Sequence, residues 1–176
     1  NNEFETEIRN AYLLSDSKIM CIGGRHSVTK NTVVRVLSSG KLDTTFNHIS
    51  TTNSFPTAFA VDNKGRYIIA ETYIGTLFPS IQLYSKVRRL FNTGGYAGVD
   101  SPVFIDIPRG GDGTAVIFSL CVTDSNDILC GGNYNRFNGR DEAGISLITE
   151  NLVYKKIGYK LLDYELDKYY VFVEDI

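Results

Sequence analysis

The chain has 176 residues, of which 43% are hydrophobic and 22% charged, so a disordered or collagen-like protein is excluded. Its 18 basic and 20 acidic residues give a net charge of −2, and nucleic acid is therefore not an expected partner. No apolar run approaches the roughly 20 residues that cross a bilayer, so membrane insertion is not expected. Because the first residue is Asn1 and not Met, we expect a processed chain or a segment of a longer one.

Aromatic residues are frequent, with 11 Tyr and 10 Phe but no Trp, and Thr, Val and Ile are common. These residue types favour pleated, half-buried strands. No stretch keeps apolar residues at helical spacing over three turns, so helices are not expected. The composition predicts an all-β protein.

The first repeat, approximately residues 8–49, is predicted to contain two hairpins in series. Ile8 to Leu14 and Lys18 to Ile22 flank a turn. Thr32 to Leu37 and Leu42 to Phe46 flank a second turn that contains Ser-Gly. The repeat is thus expected to supply four short antiparallel strands.

The second repeat, approximately residues 56–100, begins with a strong hairpin signal. Its turn is Asp-Asn-Lys-Gly, between predicted strands at Thr57 to Val61 and Arg66 to Ala70. A loop is predicted from there through Pro79. A further hairpin is expected from Ser80 to Tyr84 and Val87 to Phe91.

The third repeat covers approximately residues 113–158, and a partial fourth repeat covers 160–176. The predicted strands of the third are Val116 to Val122, Ile128 to Cys130, Gly144 to Ile148 and Leu152 to Ile157. Apolar residues of the first repeat map onto it with one constant offset, so that Val34 and Val36 correspond to Ile145 and Leu147. Cys21 and Cys130 fall in matching strands, which predicts small buried thiols.

Repeats of this length with four strands each are typical of β-propeller blades. One antiparallel sheet of four strands cannot bury both faces, whereas such sheets stacked around an axis can. We therefore predict propeller blades over residues 1–176, as part of a larger propeller.

The repeats resemble the delta-60 repeat, a β-propeller family of bacterial surface proteins and some phage structural proteins. The resemblance rests on a strand ending in Gly-Gly, an aromatic loop with Asn-Gly, and Leu-Asp followed by Phe. The segments that carry it are 131–134, 137–139, 23–24 and 39–47. Propellers of this family are expected to have more blades than are visible here, which implies that further sequence or other chains complete them.

Candidate catalytic and metal residues have simpler structural explanations. The Gly-Gly pairs are predicted to form bulges or tight strand exits. Turn residues such as Asp43 and Asp62 are predicted to accept backbone N–H groups. Loop carboxylates could form a pair for glycoside hydrolysis, but no spacing selects two of them. The two histidines lack partners at ligand spacing, so no metal, cofactor or catalytic residue is predicted.

The loops that combine aromatic and polar residues are the predicted binding surface. Tyr and Asn side chains there could stack on a sugar or contact a protein surface. The alternative is that Tyr134 and Phe137 fold back to cover the sheet edge. The candidate surface residues are Arg25, His26, Tyr73, Asn133, Tyr134, Asn135, Arg136 and Phe137.

These observations lead us to expect a non-enzymatic structural or adhesive module. Its expected partners are other structural chains of the same assembly, and a glycan or protein of a host surface. The resemblance implies a virion component, such as a phage tail or capsid-associated protein, or else an extracellular cell-surface protein. The alternative function is a carbohydrate-binding or glycan-processing propeller.

Overall fold

The structure is a computed structural model, which describes residues 8–23, 31–50, 54–77, 80–94, 103–105, 115–134, 136–137, 140–141, 144–150 and 154–155. The predicted fourth repeat, 160–176, lies outside these residues. The described elements are all strands, and the prediction of an all-β fold is confirmed.

Fourteen strands follow one another along the chain. They are β1 (Ile8–Leu13), β2 (Ile19–Gly23), β3 (Asn31–Val36), β4 (Ile49–Ser50), β5 (Ser54–Val61), β6 (Tyr67–Leu77), β7 (Ser80–Leu90), β8 (Val103–Ile105), β9 (Val116–Val122), β10 (Ile128–Asn133), β11 (Arg136–Phe137), β12 (Arg140–Asp141), β13 (Ile145–Ile148) and β14 (Tyr154–Lys155).

The strands form three antiparallel meanders in chain order. The first sheet has the order β1-β2-β3-β4, the second β5-β6-β7-β8, and the third β9-β10-β13-β14. β11 and β12 form a separate two-stranded ribbon between β10 and β13. Within the described residues, none of the sheets closes on itself.

Each sheet begins with a hairpin whose turn has the same geometry. In the first sheet the Leu14 N–H donates to the Lys18 carbonyl at 2.8 Å, and the Ser17 N–H donates to the Leu14 carbonyl at 3.0 Å. The turns 62–66 and 123–127 contain the same two bonds. The fourth residue of each turn has a positive φ: Ser17 at 63°, Gly65 at 74° and Asn126 at 69°.

The second sheet is packed between the other two. Its contact with the first sheet is an apolar cluster of Leu14, Met20, Ile22, Val33, Phe46, Ile49, Phe59, Tyr67, Ile69 and Leu90. Its contact with the third sheet consists of Ala58, Ile68, Ala70, Val87, Ala115, Ile117, Ile128, Cys130, Tyr134 and Ile148. Because neighbouring residues of a strand point to opposite faces, β6 supplies both clusters.

Equivalent strand positions point in the same direction along this stack. Ile19, Tyr67 and Ile128 each directly follow the turn of their sheet. Tyr67 packs towards the first sheet and Ile128 towards the second. Ile19 lies on the face of the first sheet that is turned away from the second, in a small cluster with Cys21, Val34, Val36 and Leu42. Opposite faces of equivalent sheets therefore meet at both junctions.

The predicted strand from Leu42 to Phe46 is wrong. Leu42 makes only an isolated bridge to Val36, and the chain then turns, with the Phe46 N–H donating to the Asp43 carbonyl at 3.1 Å. The carboxylate of Asp43 accepts the Thr45 N–H at 3.0 Å and thus stabilises the turn. The strand forms later, as β4.

The predicted loop before Pro79 and the predicted hairpin after it are also wrong. β6 and β7 pair without interruption from Tyr67 with Leu90 to Leu77 with Ser80. Polar residues that suggested a break fit inside the sheet, because the Thr72 and Ser85 hydroxyls hydrogen-bond each other at 2.9 Å. The Ser85 hydroxyl also bonds the Ala115 carbonyl of the third sheet.

The predicted correspondence between the first and third repeats is displaced by one residue in the third strand of each sheet. Val36 pairs with Ile19, and Ile148 pairs with Ile128. Val36 thus corresponds to Ile148 and not to Leu147. Adjacent apolar residues fit either register, so the hydrophobic pattern did not distinguish them.

The prediction of a bulge at the second Gly-Gly pair is confirmed. The register of β9 and β10 shifts between Gly131 and Gly132, and Phe118 is the extra residue. A Cβ atom on Gly132 would lie 2.1 Å from the Val116 carbonyl oxygen, whereas one on Gly131 would lie 3.8 Å from the nearest side-chain atom. Only the second glycine is needed for the close approach of the two backbones.

We expect Gly132→Ala to lower the free energy of unfolding by about 2 kcal/mol or more, because the backbone around Val116 must shift. The control Gly131→Ala should change it by no more than about 0.5 kcal/mol. Urea denaturation of both variants checks the difference. Equal losses would contradict the assigned bulge.

Candidate functional site

A buried arginine joins the first and second sheets. Arg35 in β3 is 6% exposed, and its Nε donates to Asp43 Oδ2 at 2.8 Å. Its Nη1 donates to the Tyr67 hydroxyl at 3.2 Å and to the Asn92 carbonyl at 2.6 Å, and its Nη2 donates to Thr45 Oγ1 at 3.3 Å. The guanidinium therefore connects β3, the turn after it and the second sheet.

The carboxylate of Asp43 is held in its charged form. The Thr45 hydroxyl and N–H and the Arg35 guanidinium donate to it, and they lower its pKa below the ordinary value against the opposing effect of burial. The Lys18 ammonium lies 3.4 Å from Oδ2. The prediction that this aspartate accepts a backbone N–H in a turn is confirmed.

A second ionic group joins the second and third sheets. Asp62 accepts the Lys64 N–H at 3.0 Å and the Arg66 N–H at 2.8 Å, which confirms its predicted role in the turn. Arg66 also donates to Asp62 Oδ2 at 2.6 Å and to Glu150 Oε1 at 2.7 Å. The Lys64 ammonium bonds the same Glu150 oxygen. These two cations lower the pKa of Glu150 to about 2.

Arg35 and Arg89 make the same contact at successive junctions. They occupy equivalent positions in the third strands of their sheets. Arg35 donates to the carbonyl of Asn92, and Arg89 donates to the carbonyl of Glu150, which is the equivalent residue of the next sheet. Leu147 holds this position in the third sheet, so the series of arginine contacts ends there.

The turns of the second and third sheets interlock through asparagine side chains. The backbone N–H of Asn63 donates to Asn126 Oδ1 at 2.9 Å. The Asn63 amide donates to the carbonyls of Thr123 and Asp124 at 3.1 and 3.2 Å. The positive φ of Asn126 directs its side chain towards the neighbouring turn.

A cleft of about 500 Å³ lies between the corresponding turns of the first and second sheets. Leu13 and Ser15 line one side, and Val61 and Gly65 line the other. Arg35 and Tyr67 contribute the buried polar atoms of the lining. The cleft is a concave site with an apolar wall and a polar base, which is the usual form of a small-ligand site.

Tyr73, predicted in a loop, lies in β6 within a charged cluster. Its hydroxyl donates to Oε2 of the fully buried Glu71 at 2.9 Å. The Lys86 ammonium lies 4.6 Å from the centre of its ring, and the Arg88 guanidinium carbon lies 5.5 Å from it. Burial and the Glu71 charge raise the pKa of Tyr73. The ring is thus engaged within its own sheet.

The other predicted surface residues are not brought together. Arg25, His26 and Asn135 lie outside the described residues, and Arg136 and Phe137 form β11. Asn133 is exposed at the end of β10. Tyr134 is only 6% exposed, and its hydroxyl donates to the Cys130 carbonyl at 2.8 Å, as expected if it folds back on the sheet.

Sequence reasoning missed Arg35 and Arg89 as junction residues. A usable signal was an arginine one residue before the end of an apolar third strand, in two successive repeats. The predicted burial of Cys21 and Cys130 is confirmed.

No family model matches the chain, and no curated protein matches it. Across the part of the chain that the structure describes, no helix has the length and apolarity to cross a membrane. The same residues contain no group of three or more His, Cys, Asp or Glu side chains arranged to hold a metal ion.

We expect Arg35→Met to lower the free energy of unfolding by about 3 kcal/mol, because Asp43 then loses its main buried counter-charge. The matched control is Arg9→Ala, which removes an exposed arginine over the Phe55 ring and should cost no more than about 0.5 kcal/mol. Thermal and urea denaturation measure both. Similar losses would show that Arg35 does not act as a buried junction residue.

Stability should fall in acid as Glu150 is protonated. Its pKa is about 2 in the folded chain and 4.5 ordinarily, so its contribution is complete above 4.5 and is lost as pH falls through about 2. Glu150→Gln should therefore flatten the dependence of the urea midpoint on pH in this window. Because the pair lies near the surface, about 1 M NaCl should shrink the difference between variant and wild type. Identical pH slopes for the two proteins would contradict this role.

Proposed function

We propose that the chain is a non-enzymatic β-propeller module that serves as a structural or adhesive part of a larger assembly. The assembly proposed is a virion, with the chain in a phage tail or bound to the capsid. Exposed loops would then contact the host surface. The resemblance to the delta-60 repeat supports this choice of assembly.

The observation that carries the proposal is the direction in which the sheets stack. In a two-sheet sandwich the equivalent apolar faces meet each other, whereas here the face after the turn of one sheet meets the opposite face of the sheet before it. Contacts between unlike faces repeat in one direction and close into a ring when the rotation permits. Four-stranded meanders that stack in this way support the interpretation as propeller blades.

Exposed apolar side chains at the outer sheets support a role in assembly. Phe118 at the bulge of the third sheet is 62% exposed, and Ile145 on the face turned away from the second sheet is 38% exposed. Leu13, on the corresponding outer side of the first sheet, is 78% exposed. Clustered apolar exposure is typical of interaction surfaces.

The carboxylates at the junctions favour a structural role over catalysis. Asp43, Asp62 and Glu71 are buried and bonded to groups of their own chain. The carbohydrate alternative relied on Tyr134 and on Tyr73 in a loop. The first of these rings is buried and the second lies in a strand, so this alternative has less support.

We expect the chain to associate with the products of neighbouring genes or with itself when they are co-expressed and purified. The double variant Phe118→Ser/Ile145→Ser should weaken that association by about tenfold or more, because apolar contact area is lost. Phe91→Ser, which removes another exposed ring at 53% exposure, is the matched control. Sedimentation velocity measures the species present.

A well-folded wild-type monomer without affinity for those proteins would overturn the assembly role. Loss of association in the Phe91 variant alone would move the interface away from the third sheet.

A further inference from the structure

The two junctions between sheets have equivalent turns but different contents. Turn 62–66 meets turn 123–127 through the asparagine interlock. Turn 14–18 is the equivalent partner of turn 62–66 at the other junction. There the space between the turns is the cleft of about 500 Å³.

The residues that form the interlock are replaced in that cleft. Ser15 stands where Asn63 stands in the second sheet, and Gly65 stands where Asn126 stands in the third. Both Ser15 and Gly65 line the cleft. Among the described contacts, Ser15 makes no side-chain hydrogen bond to turn 62–66. A side chain that would supply an amide is therefore missing from the position where the neighbouring junction has one.

The hydrogen-bonding groups that an amide would use are still present in the turns. At the closed junction the Asn63 amide donates to the carbonyls of Thr123 and Asp124. By turn geometry the equivalent carbonyls at the open junction are those of Asp62 and Asn63. The Ser15 N–H is the equivalent of the Asn63 N–H, which donates to an amide oxygen. Two acceptors and one donor thus match a carboxamide group.

The rest of the cleft suits an amino-acid side chain better than a sugar. Leu13 and Val61, 78% and 40% exposed, supply an apolar wall. The one aromatic ring in the lining, Tyr67, is only 7% exposed and already accepts a bond from Arg35, so it offers no open face for a sugar ring.

We propose that this cleft binds the carboxamide side chain of an asparagine or glutamine presented by a partner polypeptide. The amide takes the place that asparagine side chains fill at the other junction, and the carbon atoms of the partner lie against Leu13 and Val61. The inference deepens the proposed function and rests on it for the nature of the partner. The binding chemistry itself can be measured with a small probe.

The probe is N-acetyl-asparagine methylamide, titrated into the whole 15N-labelled chain. We expect saturable chemical-shift changes in residues 13–18 and 61–66 and none in 123–127. The aspartate analogue should bind about tenfold more weakly, since its carboxylate cannot donate to the two carbonyls. Equal binding of both probes, shifts at 123–127, or no saturable shift would overturn the proposal. Binding of N-acetylglucosamine at the same residues without binding of the asparagine probe would also overturn it, in favour of a sugar.

Filling the cleft from within provides the matched variant. Ser15→Asn/Gly65→Asn rebuilds the interlock, and asparagine is tolerated at position 65 because Asn126 has φ 69° where Gly65 has 74° and no atom lies within 4 Å of an added Cβ. We expect this variant to lose probe binding while its unfolding midpoint is unchanged or higher. Retained binding in the folded double variant would contradict the site, and Gly65→Asn alone serves if the double variant does not fold.

The outcome is separable from that of the assembly experiment. A chain that binds the probe but joins no assembly would refute the proposed function and keep the site. A chain that assembles without binding the probe would do the opposite.

Discussion

The second sheet can exist only with both of its faces covered. Ile68 and Ile69 are neighbours in β6, point to opposite faces and have no exposed surface. An isolated sheet would leave one of them in water, at a cost of about 1.5–3 kcal/mol per side chain of this size. The stack of three sheets is thus the smallest arrangement in which this strand is fully buried.

Polar contacts at the ends of the strands set how the sheets are aligned. Apolar faces slide past one another at little cost, whereas a buried arginine must meet its acceptors or leave a desolvated charge. Arg35 and Arg89 each reach the equivalent carbonyl of the following sheet, so the same displacement from sheet to sheet is specified twice. Leu147 replaces the arginine in the third sheet, and contact with any following sheet would need another means of alignment.

The hairpins that begin each sheet were predictable, and the second hairpins were not. Turns such as 62–66 and 123–127 carry their own signals, because Asp, Asn and Gly specify the turn within five residues. The course of β6 and β7 depends on pairs such as Thr72 with Ser85, whose hydroxyls satisfy each other only after the strands have met. Local sequence carries no record of that partner. The same limit hid the cleft, which exists because Ser15 and Gly65 lack the amides of their equivalents in another repeat.

The sequence by itself determined an all-β chain with repeated hairpins, the turn roles of Asp43 and Asp62, the bulge at Gly131 and Gly132, and the burial of Cys21 and Cys130. These features depend on side-chain alternation and on backbone preferences within a few residues. Only the tertiary structure decided the direction in which the sheets stack, the register of the third strands, the junction arginines and the place of the open cleft. Each of these depends on contacts between residues far apart in the chain, which become neighbours only when apolar faces pack together.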